Sequence, residues 1–316
     1  MAGRPLRDLL PVHDAPLTQV WRATDGHGTS LMLHVVRADL QALLPDSMLL
    51  HAQLSAAVGF DAALYRPLWV ERLVDGRVAY ATPWFDRIPA VDAVREMLLP
   101  ATALAETAAN FLATLAELHR HGGVLGIITP ASLAFLPGLN TFFVDGAGVF
   151  SALLAAGARR DDVVGQAGTR AHVAPELLVP GAAADARVDV YSAGSTLYEL
   201  LTQRAPFGGR TTAMMMVSVL VETGAGETAD SEGRVGELVE ALLRAIERDP
   251  DDRWPSMAAF AAALDGSADA GWITTPMAIP RTPASAGRMT EAAQAATPAT
   301  KRSWWRVWLE RVGGRP

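Results

Sequence analysis

The sequence contains no cysteine, which excludes a disulfide framework, thiolate catalysis and Cys-ligated zinc or iron–sulfur centres. Lysine is almost as scarce: of the 27 basic residues only Lys301 is a lysine, and the others are arginine. The first 300 residues therefore offer no amine for a Schiff base or for a phosphate-holding ammonium. Long apolar runs are missing as well. None approaches the roughly 18 residues needed to span a bilayer, and Met1 to Pro11 lacks the apolar stretch of a secretory signal, so the expected compartment is the cytoplasm. Positive charge is sparse in the body, where 22 basic residues face 33 acidic ones over positions 1–300 and leave a net charge of −11. That sign argues against a nucleic-acid partner, whose phosphates need a basic stripe.

What is present is ordinary globular material. The 316 residues are 50% hydrophobic and 19% charged, enough to build a substantial core. Gln19–Ala23 and Ser30–Val36 read as strands around the turn Asp25-Gly26-His27-Gly28, a helix is expected near Ser47–Ala57, and Tyr65–Leu73 and Arg77–Trp84 flank Asp75-Gly76 as a second strand pair. Apolar residues then recur at Leu104, Ala108, Phe111, Leu112, Leu115 and Leu118, predicting a long helix over Ala101–His121 that Gly122-Gly123 stops. Val190–Leu201, Val235–Ile246 and Met257–Leu264 read as further helices. Positions 266–300, rich in Ala, Thr, Pro and Ser without periodicity, read as a flexible linker.

Three segments, in order, resemble the protein kinase family, and the bacterial serine/threonine kinases in particular. Gly168-Thr169-Arg170-Ala171-His172-Val173-Ala174-Pro175-Glu176 is similar to the end of a kinase activation segment. Asp189 to Leu201, followed by Pro206-Phe207, resembles the family's central buried helix, and Asp249-Pro250 with Arg253-Trp254-Pro255-Ser256 resembles its late arginine element. The resemblance covers roughly residues 10–265 and is strongest in the second half. It implies an α+β, bilobal protein-kinase-like fold over 1–265, with a small mainly-β N-lobe holding one helix (about 1–86) and a larger mainly-α C-lobe (about 87–265). It also implies structural roles: a buried ion pair between Glu176 and Arg253, and an Asp189 that accepts backbone hydrogen bonds from the catalytic loop.

Phosphoryl transfer needs gripped phosphates, a lysine–glutamate pair, a base and metal ligands. Aligned on the resemblance, the three glycines of the phosphate loop become His13, Ala15 and Thr18. The strand lysine becomes His34 and its helix glutamate His51; two histidines could hold a metal or respond to pH, and the plainer reading is packing. The base aspartate becomes Ile127, the lysine that usually follows becomes Thr129, and the metal-binding asparagine becomes Ser132. Asp145 alone keeps its family identity, as the tentative metal position or as a turn residue before Gly146.

The resulting expectation is a pseudokinase: a binding or scaffolding module of bacterial signalling with protein partners, which requires no cofactor, although Asp145 leaves weak ATP and Mg²⁺ binding open. The alternative is an atypical ATP-dependent serine/threonine kinase that uses Asp145 for metal. In the tail 301–316, Trp305, Trp308, Leu309 and Val312 fall on one helical stripe among basic residues. Such a stripe suits a partner groove or a membrane surface, which would make the protein peripheral at the inner membrane, or it folds back on the acidic body.

Overall fold

The computed structural model describes residues 5–56, 65, 67–99, 101–167, 170–179, 182–206 and 231–264. The expected linker and tail, with Trp305, Trp308, Leu309 and Val312, lie outside the described residues, as do Gly168, Thr169 and Phe207. The architecture is α+β and bilobal. A five-stranded antiparallel sheet forms the N-terminal lobe, and helices dominate the C-terminal one.

Strands β1 (Arg7–Asp14), β2 (Thr18–Thr24), β3 (Ser30–Val36), β4 (Trp69–Arg72) and β5 (Val78–Pro83) line up in the order β1-β2-β3-β5-β4. The β2–β3 hairpin closes as its turn chemistry requires: Asp25 Oδ1 accepts from the backbone N–H groups of His27 and Thr29, and Gly28 takes φ +84°. Two short helices, α1 (Ala38–Gln41) and α2 (Ser47–Ala56), follow β3, and α2 buries Leu50 and Leu54. The sequence reading started the next strand at Tyr65, but regular pairing begins only at Trp69, opposite Ala81. It named no element before Gln19, whereas Arg7–Asp14 pairs along β2 as an exposed edge strand.

Beyond β5 the chain passes Trp84–Arg87 into β6 (Ile88–Pro89) and α3 (Ala90–Arg95). The long helix α4 (Ala101–Arg120) buries Leu104, Ala108, Phe111, Leu112 and Leu115, the stripe its periodicity predicts. It ends in a Schellman motif, with Gly122 N–H donating to His119 O, Gly123 N–H to Leu118 O, and Gly122 at φ +78°. A small sheet of β6, β7 (Leu133–Leu136) and β8 (Thr141–Val144) carries the catalytic-loop region. Next come α5 (Val149–Ala155), α6 (Arg160–Ala167), α7 (Arg187–Thr202), α8 (Ser231–Ala245) and α9 (Met257–Leu264).

Helix α7 is the pillar of this lobe, and nearly all of its residues are buried. Gly194 lets it approach α8, since a Cβ there would lie 2.6 Å from Ala245 Cβ. At its N-terminal end Asp189 accepts from Leu125 N–H (2.8 Å), Gly126 N–H (2.5 Å) and His119 Nε2 (2.8 Å). A fully buried carboxylate is thereby satisfied, and the loop at 125–126 is held in place.

Arg253 and Glu176 form a bidentate pair at 2.7 and 2.8 Å. The other guanidinium donors reach Glu247 O, Arg187 O and Arg248 O, so the buried cation has all five N–H groups engaged, and its face lies over Tyr191. Removing one partner strands the other charge in the interior. Glu176→Ala is therefore expected to cost about 3–5 kcal/mol in urea unfolding. An exposed control such as Arg95→Ala should stay within about 0.5 kcal/mol.

Candidate functional site

The groove between the lobes is where the altered chemistry collects. His34, on β3, is fully buried and stacks on Tyr80, with ring centroids 4.6 Å apart and the planes 12° from parallel. Its Nε2 lies 3.2 Å from Thr82 Oγ1. Burial is the main cause holding its pKa near 4; Asp145 opposes that shift and Arg87 and His13 reinforce it, so the ring is neutral at physiological pH. It is neither a phosphate-binding cation nor a partner of His51. His51 lies half-buried on α2, and the described residues contain no group of three or more His, Cys, Asp or Glu able to hold a metal. For His34 the plainer of the two sequence readings, packing, describes the arrangement: β5 presents Tyr80 and Thr82 to it across the sheet.

The positions aligned with the catalytic loop are likewise built into the packing. Ile127 and Ile128 are buried, so an alkyl group stands where a base would be needed. Thr129 and Ser132 cap each other: Ser132 N–H donates to Thr129 Oγ1 at 3.2 Å and Thr129 N–H to Ser132 Oγ at 2.9 Å. Gly126, at φ +75°, has Phe150 of α5 packed against it so closely that a Cβ would run into the ring. The segment after Asp145 is therefore held by apolar packing on the loop.

Asp145, just beyond β8, is the surprise. Its side chain is completely buried, and Arg87 grips it with both terminal nitrogens: Nη1 donates to Oδ1 at 2.7 Å and Nη2 to Oδ2. His13 Nε2 adds a contact to Oδ2 at 3.0 Å. Burial alone would raise this carboxyl's pKa, but the hydrogen bonds from Arg87 and His13 outweigh it and hold it at about 2. Asp145 opens the turn 145–148, as the turn reading of the sequence has it, and its carboxylate is in addition held by Arg87 and His13, which that reading did not include. Arg87 escaped sequence reasoning altogether, because a contact across 58 residues from an irregular segment leaves no local pattern.

The turn between β1 and β2 completes the closure. Ala15 N–H donates to Thr18 O at 2.8 Å, making a tight turn, and Ala15, Leu17 and Thr18 are all buried. Leu17 and Thr18 lie over Gly146, where a Cβ would come within 3.3 Å of Thr18 Oγ1. A magnesium–nucleotide complex does not fit the residues as they stand. The acidic position is neutralised by an internal arginine, Ser132 is spent on its cap, and side chains stand at His13, Ala15 and Thr18, where glycines would let the backbone approach phosphates.

Comparison with known proteins places this geometry in a family context. No family model matches the chain. The chain is 29% identical to the serine/threonine-protein kinase PknB of Mycobacterium tuberculosis over 146 residues, 46% of this chain and 23% of PknB. It is 30% identical to the serine/threonine-protein kinase PknL of the same species over 181 residues, 56% of this chain and 44% of PknL. A probable serine/threonine-protein kinase of Streptomyces coelicolor, SCO3848, is 34% identical over 160 residues, 50% of this chain and 23% of that protein. The chain thus spans less than half the length of each of these relatives. The fold is kinase-like and bilobal. With these homologues, the chain is a protein-kinase-like relative of the bacterial serine/threonine kinases.

The buried histidines make stability depend on pH. His172 resembles His34, with burial holding its pKa near 4 while Nε2 sits 3.1 Å from Glu199 Oε2. Both imidazoles ionise more readily in the unfolded chain, near 6.5, so the unfolded state binds more protons between the two values. Stability should be complete above about pH 6.5 and fall progressively as pH drops from 6.5 to 4. Urea midpoints at pH 7.5 and 5.0 check this, and equal midpoints would contradict it. Separately, Gly126→Ala should lower stability by at least about 1–3 kcal/mol, from the positive φ together with the Phe150 clash, again read by urea unfolding.

Proposed function

We propose that the protein is a pseudokinase: a kinase-shaped module that binds protein partners in bacterial signalling and does not itself transfer phosphate. The observation that carries this reading is the Arg87 fork on Asp145, because it uses up the only acidic side chain retained at a family catalytic position. Ile127 supports it, since an alkyl group accepts no proton, and so does the neutral His34 at the position that would hold phosphates. PknB and PknL are named serine/threonine-protein kinases. The shape they share with this chain comes here with its architectural pairs, Glu176–Arg253 and Asp189, and without the groups that do chemistry.

A module of this kind works through its surfaces. The segment 170–179, with Leu178 and Val179 exposed, and the rim of the groove are the proposed partner-binding faces. The module works without a cofactor. The tail 301–316, through Trp305, Trp308, Leu309 and Val312, is proposed to attach it to a partner or to the cytoplasmic face of a membrane. No helix among the described residues is long and apolar enough to cross one.

The test is thermal unfolding of the full chain with millimolar ATP and Mg²⁺ or Mn²⁺, together with incorporation of labelled phosphate into itself and a mixed protein substrate. A ligand at 100 times its dissociation constant stabilises by about 2.7 kcal/mol, so binding would be visible. The expected result is no shift and no incorporation. Metal-dependent incorporation abolished by Asp145→Ala would instead support the atypical kinase.

A further inference from the structure

Asp145 lies where three separately folded pieces meet. It follows β8 in the C-terminal lobe. Arg87 approaches from the segment joining the lobes, and His13 comes down from the end of β1 in the N-terminal lobe. Arg87 is itself almost entirely buried, and on its way to the carboxylate Nη1 passes 2.8 Å from Met32 Sδ on β3. The guanidinium therefore lies across the groove, between strand and carboxylate. One side chain reaches both and supplies the positive charge.

Within its own lobe the turn above is held by Arg37, whose guanidinium donates to Pro16 O at 2.8 Å and whose backbone N–H donates to Leu17 O at 3.2 Å, but neither bond reaches the C-terminal lobe. Thr18 Oγ1 is buried without a hydrogen-bond partner, so the hydroxyl does not tie the turn to Gly146. Apolar contact from Ala15 and Leu17 is undirected. The directed link between turn and C-terminal lobe at this point is His13 on Asp145, and its geometry depends on the carboxylate being fixed from the other side by the bidentate Arg87 fork.

We infer that Arg87, Asp145 and His13 form a built-in latch: Arg87 acts as an internal ligand of the groove, and the latch straps the β1–β2 turn onto the C-terminal lobe so that the lobes close with no bound molecule. This deepens the pseudokinase reading and rests on it. Closure that is ligand-gated in an open groove becomes constitutive here, which gives partners one fixed surface. The latch also explains how a buried carboxylate survives without a metal ion, because the compensating charge is covalently part of the chain.

Amide hydrogen exchange of the full chain tests it. Without nucleotide, the amide of Ala15 and the first amides of β2 should be protected in the unmodified protein. In Asp145→Asn and in Arg87→Gln they should exchange at least tenfold faster, while the amides of α7 around Ser192 keep their rates. His13→Ala, which removes only a partly exposed side chain, keeps the test valid if either buried variant fails to fold, and it should likewise speed exchange at the turn. Turn exchange within twofold of the unmodified rate in the folded variants would overturn the latch, as would an unprotected turn in the unmodified chain. Adding ATP and Mg²⁺ to the unmodified protein separates the two ideas. Extra protection would overturn the nucleotide-free reading, while the variants still decide the latch.

Discussion

A carboxylate that is completely removed from water must have its charge matched, and in this protein much of the groove is arranged around meeting that demand at Asp145. In an active kinase-like site a metal ion and phosphates would share the task. Here Arg87 does it with a planar fork that suits a carboxylate and that a lysine could not reproduce. The choice of arginine for every basic residue before position 301 fits this use. Once Asp145 is neutralised from within, the neutral His34, the alkyl group at Ile127 and the buried Ala15, Leu17 and Thr18 need no compensating charge of their own. They are compatible neighbours in a packed interior.

The same logic holds the rest of the C-terminal lobe together. Asp189 and Arg253 are both fully buried ions: the carboxylate accepts three hydrogen bonds and the guanidinium has all five N–H groups engaged. These pairs tie α7 to the loop at 125–126 and to the segment at 175–178, and none of these contacts uses His34, Ile127 or Ser132. Gly126, in the loop that Asp189 holds, is packed against the ring of Phe150.

Much of this was legible from the sequence where the signal is local. Helix α4 shows its buried stripe and its Gly122-Gly123 stop, the β2–β3 hairpin shows its Asp-Gly turn, and Glu176, Asp189 and Arg253 sit in short motifs with fixed partners. The groove was legible only as a set of losses. That His34 would stack on Tyr80 depends on the register of β3 against β5, and that His13 and Arg87 would converge on Asp145 depends on the lobes being closed. Neither is written in any window of sequence. The edge strand β1 was missed for a related reason: its apolar residues Leu9, Leu10 and Val12 are exposed, so no burial pattern marks it.

The most direct measurement of the central claim is the coupling energy between Arg87 and Asp145, from urea unfolding of Arg87→Met, Asp145→Leu and the double variant. If the groove is organised by this buried pair, each single variant leaves an uncompensated charge and loses about 3–5 kcal/mol, whereas the double variant loses much less than the sum. Additive losses within about 0.5 kcal/mol would mean that the two side chains do not depend on each other, and the account of a groove neutralised from within would be wrong.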